Sequence, residues 1–235
     1  GTEARAEFAQ SQLAAIKALP ADERRDPLIQ TLLDLAAYDD ALPALEAQAL
    51  AHPGRALGQL EEVARKAGRI YRLAAVWRRV AGHPTMSTAQ QLHVAESLTR
   101  AGLPQAAEPA LRMAAVDALP EDPVVQQMRA LWGPKLALHQ IDWLEARAFR
   151  ASRSNGDESG VRRAAWMNEL TQRGAAARTV ALYKRLQPRP DAGPVYNAYI
   201  QALGESGGPA SWASSLVATK AKGVTGMKEA KRGTP

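Results

Sequence analysis

The chain has 235 residues, 46% of them hydrophobic but only 5% aromatic, with a net charge of +6 and no cysteine. Lack of cysteine excludes disulfides and Cys-based metal or redox chemistry, and no apolar run approaches the roughly 18 residues that cross a bilayer. Much of the apolar content is alanine, which favours helices and lets them approach closely, so the composition predicts an all-α chain.

Residues 3–18 carry Phe8, Leu13 and Ile16 at helical spacing before Pro20. They predict a capping helix, or the second half of a truncated repeat, in residues 1–25. The start, Gly1-Thr2 running straight into helical sequence, carries the expectation of a piece cut from a longer chain whose upstream part holds a membrane anchor or signal. Asp26-Pro27 opens the next helix, with Asp26 as N-cap and Leu28, Leu32 and Leu35 on the apolar face. The chain turns at Tyr38-Asp39, returns through 40–50 and stops at Pro53-Gly54.

A second hairpin rises on Leu57, Leu60 and Ala64, turns at Gly68 and returns on Leu73, Trp77 and Val80. In the third, Ser87 or Thr88 caps a helix carrying Leu92, Ala95 and Leu98, and Ala107, Leu111 and Ala114 return. These three hairpins fill 26–120. From 121 to 156 the hairpin is irregular: Trp132-Gly133-Pro134 separates a short helix from a longer one through Leu138, Ile141, Leu144 and Phe149, and 152–157 is the strongest loop signal in the chain. Two further hairpins fill 157–220. One uses Trp166 and Leu170, a turn at Gly174, then Val180, Tyr183 and Leu186; the other uses Tyr196, Ile200 and Leu203, a turn at 204–208, then Trp212 and Leu216. Residues 221–235, rich in Lys and Gly without an apolar period, predict a basic disordered tail.

The turns recur. Ala36, Gly68 and Gly102 are 32 and 34 residues apart, and Gly174 lies 72 further on, close to two more periods. A two-helix unit of that length predicts an α-α superhelix, a solenoid of about six stacked hairpins. The residues around the turns resemble the tetratricopeptide repeat (TPR) family. The first repeat matches on Tyr38, Ala41, Leu45 and Pro53. The third matches on Gly102, Ala107 and Leu111, with Ala95 and Ala114 at the other small positions and Pro120 one residue late. The second departs, with Leu73 where Ala stands in the family, Trp77 at the large position and Pro84 one residue early; the repeat at Gly174 places Thr179 and Tyr183 at those two positions. The resemblance covers 26–120 and 157–190. In texture the chain is weakly similar to TPR modules of bacterial envelope and exopolysaccharide-secretion machinery.

The resemblance implies a concave groove lined by the first helix of each repeat. It assigns Arg65 and Lys66, Glu96 and Arg100, and Asn168 and Gln172 to that groove, and implies a protein partner held there as a peptide, helix or subunit. Trp132, beside the break in regularity, is the expected exposed anchor. Chaperone-binding members carry a Lys four residues before a groove Asn; here Ala164 precedes Asn168 at that distance, and Asp26 and Gly58 hold the matching positions, which disfavours a chaperone adaptor.

Catalytic and metal signals are weak. His52 and His83 each precede a repeat-ending proline, and His93 and His139 stand three residues before Glu96 and Asp142 without a third ligand in view. Glu61-Glu62 and Asp39-Asp40 read as solvated charges or caps. No nucleophile motif or phosphate-cradling loop occurs, so neither an enzyme nor a cofactor nor a bound metal is expected. The expected function is a non-catalytic interaction scaffold. Membrane contact is expected only through segments beyond this sequence, at the cytoplasm or the cytoplasmic face of an inner membrane rather than in the periplasm. Nucleic-acid or polyanion binding is the alternative raised by the basic balance, although basic and acidic residues interleave; an accessory domain of a larger enzyme is a third reading.

Overall fold

A computed structural model describes residues 2–151, 160–186 and 193–207. Those residues form twelve α-helices and no strand. In chain order they are α1 (Thr2–Ala18), α2 (Asp26–Asp34), α3 (Tyr38–Ala51), α4 (Pro53–Lys66), α5 (Leu73–Val80), α6 (Thr88–Arg100), α7 (Glu108–Ala114), α8 (Pro123–Trp132), α9 (Leu138–Arg150), α10 (Val161–Gln172), α11 (Ala176–Leu186) and α12 (Gly193–Gly207). Short 3-10 turns precede α2, α5 and α7. The chain is all-α and divides into two compact units, residues 1–118 with 123–131, and residues 119–122 with 132–235.

The recurring turns share one hydrogen-bond pattern. After α2, Ala37 N–H donates to Leu32 O and Ala36 N–H to Leu33 O; after α4, Arg69 donates to Ala64 and Gly68 to Arg65. The same two bonds close α6 (Leu103 to Leu98, Gly102 to Thr99) and α10 (Ala175 to Leu170, Gly174 to Thr171). This is the Schellman termination, in which a residue with positive φ lets two amides satisfy the last carbonyls of the helix. The φ values are +56° at Ala36, +70° at Gly68, +76° at Gly102 and +83° at Gly174. Gly133 also has positive φ, +70°, but its ψ is −167°. Pro134 follows it and has no N–H to give, so the double bond cannot close there. A turn thus stands 31 residues after Gly102, between that glycine and Gly174, with different chemistry.

Within the first unit α3 packs on α1, α2, α4 and α5, and α6 packs on α5 and α7. The first unit buries Leu32, Leu42, Leu45, Leu60, Ala64, Val94 and Leu98 at or near zero exposure. Polar groups tie neighbouring helices together. Gln48, buried, donates from Nε2 to Asp22 O at 3.0 Å and Asp26 Oδ1 at 2.8 Å. Ser87 and Gln90 close a capping box at the start of α6, and Gln90 Nε2 also donates to Gly54 O at 2.8 Å. In the second unit α10 packs on α9, α11 and α12, and α9 packs on α11. This unit buries Leu144, Trp166, Met167, Leu170 and Leu182. Both patterns are compatible with a helical repeat.

Several local expectations change. Asp26 is the first residue of α2, not its cap; Arg25 precedes the helix without a side-chain capping bond, its guanidinium donating to Leu19 O instead, and Asp22 caps the preceding 3-10 turn, accepting from Arg24 N at 3.0 Å. Ile29, not Leu28 or Leu35, joins Leu32 at full burial, so the buried face of α2 runs through positions 29 and 32, three residues apart. Phe8 is exposed while Ala9 and Ile16 are buried. Pro53 follows α3 but also opens α4 directly, as proline fits a first turn. Helix α12 runs through Gly204 to Gly207, where a turn is expected. The loop at 152–157, the stop at Pro188 and Pro190, the helix with Trp212 and Leu216, and the tail at 221–235 lie outside the described residues.

Candidate interaction groove

Helix α6 presents Glu96, Thr99 and Arg100 on one exposed face, since residues three and four apart are helix neighbours. Buried Ala95 lies beside them and Leu111 of α7 behind them. Helix α8 supplies Gln127, Ala130 and Leu131 at the same spacing. Together these eight residues line a groove of about 440 Å³ in the first unit. Its floor is apolar (Ala95, Leu111, Ala130, Leu131) and its rim is polar (Glu96, Thr99, Arg100, Gln127).

The rim charges are uncommitted. Glu96 and Arg100 stand four residues apart on α6, yet among the described residues neither makes an ion pair or side-chain hydrogen bond, whereas Thr99 Oγ1 donates to Ala95 O at 2.9 Å. Gln105 Nε2, from the turn before α7, reaches Leu131 O at 3.4 Å and ties the last turn of α8 to that loop. A groove with an apolar floor, one free carboxylate and one free guanidinium offers a partner both burial and oriented polar contacts.

Other expected site residues fall elsewhere. Arg65 and Lys66 end α4 on its exposed face and do not line this groove; Lys66 pairs with Glu62 at 2.7 Å and stands 5.9 Å from the Tyr38 ring. Its ammonium is held above the usual lysine range by that carboxylate. Asn168 and Gln172 belong to α10 in the second unit. Gln172 is exposed, while the Oδ1 of partly buried Asn168 has no hydrogen-bond partner among the described residues.

Trp132 is not an exposed anchor. It is 6% exposed and meets Trp143 edge-on at 5.8 Å, and Trp143 in turn meets Trp166 at 5.6 Å. The guanidinium of Arg147 lies within 6 Å of both the Trp143 and Trp166 rings. The break at Gly133-Pro134 therefore folds the tryptophan inward, into an aromatic row whose edge-to-face contacts add to its burial.

Glu61 is likewise no solvated charge. Its carboxylate, 13% exposed, accepts from Trp77 Nε1 and from His93 Nε2, each at 2.7 Å. His93 thus pairs with the preceding hairpin and not with Glu96 on its own helix. Thr179, at a position where the repeat calls for alanine, is fully buried, and its hydroxyl is satisfied by Thr171 Oγ1 at 2.9 Å and Met167 O at 3.3 Å. Among the described residues no three His, Asp or Glu side chains gather as a metal-holding group, and no helix is long and apolar enough to cross a membrane.

A larger recess, about 600 Å³, is lined by Asp22, Glu23, Arg24, His52, Gly54, Arg55 and Thr85. Its charges are already paired, Arg24 with Asp22 at 2.7 Å and Arg55 with Glu23 and Asp26 at 3.8 and 3.5 Å. That leaves the α6–α8 groove as the better site.

Sequence reading reached Glu96 and Arg100 but missed Gln127, Ala130 and Leu131. Their spacing on one face of α8 was visible, but the loss of repeat signature after Pro120 hid that α8 lies across from α6. Comparisons with protein-family models, curated proteins and solved structures give no match to this chain.

Proposed function

We propose that the protein is a non-catalytic interaction scaffold that holds a peptide or helix of a partner protein in the α6–α8 groove. One observation carries the reading: Glu96 and Arg100 face a groove of about 440 Å³ with an apolar floor, and among the described residues neither makes an ion pair or side-chain hydrogen bond. Charged side chains left unpaired among the described residues, beside exposed Ala130 and partly exposed Leu131, suit a recognition surface better than a packing surface. A TPR-like descent belongs to the same proposal. It is supported by the Schellman turns at Ala36, Gly68, Gly102 and Gly174 and their near-constant spacing. Membership in a bacterial envelope or exopolysaccharide-secretion assembly is its finest form and rests on the alanine- and arginine-rich texture.

The test places a photo-crosslinking amino acid at Ala130 of the full chain in its native cells. The expected result is a crosslink to one protein partner that disappears when Arg100→Glu and Leu131→Asp are added. A crosslink to nucleic acid, or a protein crosslink indifferent to those substitutions, overturns the reading.

A further inference from the structure

A second groove, on the other helix of each hairpin, has the features of a docking site for a different kind of segment. It lies between α3 and α5 in the first unit, holds about 390 Å³, and is lined by Glu46, Leu50, Tyr71, Arg72, Ala75, Val76 and Arg79. None of these residues takes part in the α6–α8 groove. Its floor is aliphatic, from Leu50, Ala75 and Val76. At its rim Tyr71 is 71% exposed, and its neighbour Ile70 is 50% exposed. These two are adjacent large apolar side chains held in solvent by the 3-10 turn Ile70–Arg72. Adjacent apolar side chains exposed at the rim of a groove are a feature of interaction surfaces.

Of the charged residues that line the groove, Arg72 is paired with Glu46 at 2.8 Å, which leaves the Arg79 guanidinium as the excess charge. Between Val63 and Ala95 the chain has six cationic side chains, Arg65, Lys66, Arg69, Arg72, Arg78 and Arg79, and no Asp or Glu. Three are neutralised from outside that stretch: Lys66 by Glu62, Arg69 by Asp39 at 3.0 Å, and Arg72 by Glu46 at 2.8 Å. Arg65, Arg78 and Arg79 make no ion pair or side-chain hydrogen bond among the described residues. Arg79 opens directly onto the groove.

We infer that the α3–α5 groove binds an acidic peptide segment of a partner protein, with an apolar side chain seated on Leu50 and Val76 against Tyr71 and a flanking carboxylate on Arg79. The planar guanidinium suits a carboxylate bidentately, and an exposed tyrosine is a common anchor of interfaces. Two features favour a peptide over a nucleic acid or a lipid surface. Tyr71 is the one aromatic side chain among the residues lining the groove, where single strands stack successive bases on several, and the aliphatic floor lies in a concavity that a flat bilayer cannot enter.

A random-peptide display library selected on the immobilised full chain provides the probe, followed by anisotropy titrations of the recovered peptides. The expected peptides are enriched in Asp and Glu around a large apolar residue. They should bind Tyr71→Ala and Arg79→Ser variants at least about tenfold more weakly, a loss of some 1.4 kcal/mol. Binding to Arg100→Glu should be unchanged, which separates this site from the α6–α8 groove. Because Tyr71 and Arg79 are exposed, both variants should keep the helical circular dichroism of the parent. Recovered peptides without acidic enrichment, equal binding to the Tyr71 and Arg79 variants, or tighter binding of poly-uridylate or phosphatidylglycerol vesicles at this face overturns the inference.

Discussion

Glu61 and His93 lie 32 residues apart and meet at 2.7 Å, joining the first helices of two successive hairpins. That separation is close to the 34 residues between Gly68 and Gly102, the turns that close the same two helices. Trp77 Nε1 donates to the other carboxylate oxygen. Because a carboxylate only accepts, His93 presents Nε2–H to it.

Removing this carboxylate strands a buried indole N–H. Glu61→Ala should lower stability by about 1–3 kcal/mol, the cost of an unsatisfied buried donor. Glu61→Gln keeps an acceptor for Trp77 and should lose less. His93→Ala, at a half-exposed position, should lose less than about 1 kcal/mol. Urea denaturation of the three variants checks the order, and a Glu61→Ala protein as stable as its parent would refute it.

Two glycines of α4 should respond with opposite sign. A Cβ on Gly54 would stand 2.4 Å from Thr85 O, a backbone atom of the next hairpin's entry, so Gly54→Ala must push the two hairpins apart. Overpacking of that kind costs about 1–3 kcal/mol. Gly58 has nothing within 4 Å of such a Cβ. Gly58→Ala should therefore gain about 0.5–1 kcal/mol from helix propensity. Thermal unfolding of the pair distinguishes a packing glycine from an incidental one.

The turn residues form a similar test. Ala36 alone among the four Schellman positions is not glycine, and its φ of +56° carries left-handed strain. Ala36→Gly should stabilise the protein by about 0.5–1 kcal/mol once the added chain entropy is offset. Gly102→Ala, at φ +76° with open space around it, should destabilise it by about 1–2 kcal/mol. Equal effects at both turns would mean that the termination tolerates either residue.

Alkaline pH should loosen the second unit. Tyr183 stacks on Tyr199 with ring centroids 4.0 Å apart and sits 6.3 Å from Tyr196. Burial, then the neighbouring Tyr196 and Tyr199, push its phenol above the ordinary tyrosine range. A phenol with a raised folded pKa favours the folded state fully below the unfolded value of about 10, and loses that contribution as pH rises through the folded value. Phenolate absorbance should show one tyrosine ionising late, and Tyr183→Phe should flatten the stability loss in that window. An unaltered alkaline profile in Tyr183→Phe would place the transition elsewhere.

The class of fold and the helix ends at Gly68, Gly102 and Gly174 were legible in the order of residues, whereas the chain stays helical from Gly204 to Gly207, where a turn is expected. Alanine-rich helical periodicity excludes strands, and positive φ followed by a free amide is a local requirement that Gly68, Gly102 and Gly174 declare one by one. The resemblance to the TPR family marked Glu96 and Arg100, because in that family the first helix of each repeat lines the groove. Tertiary structure alone decided which faces meet. The periodicity of α2 did not reveal that packing would bury Ile29 in place of Leu28. Trp132 beside Gly133-Pro134 read as an exposed anchor, and only packing against Trp143 turned it inward. Glu61 read as solvated until Trp77 and His93 enclosed it. Leu131 entered the groove only once α8 was laid across from α6. Local hydrogen bonding and helix geometry act over a few residues and are written in order along the chain. Burial and pairing join residues some thirty positions apart, and whether two such faces meet depends on helix packing that no single segment encodes.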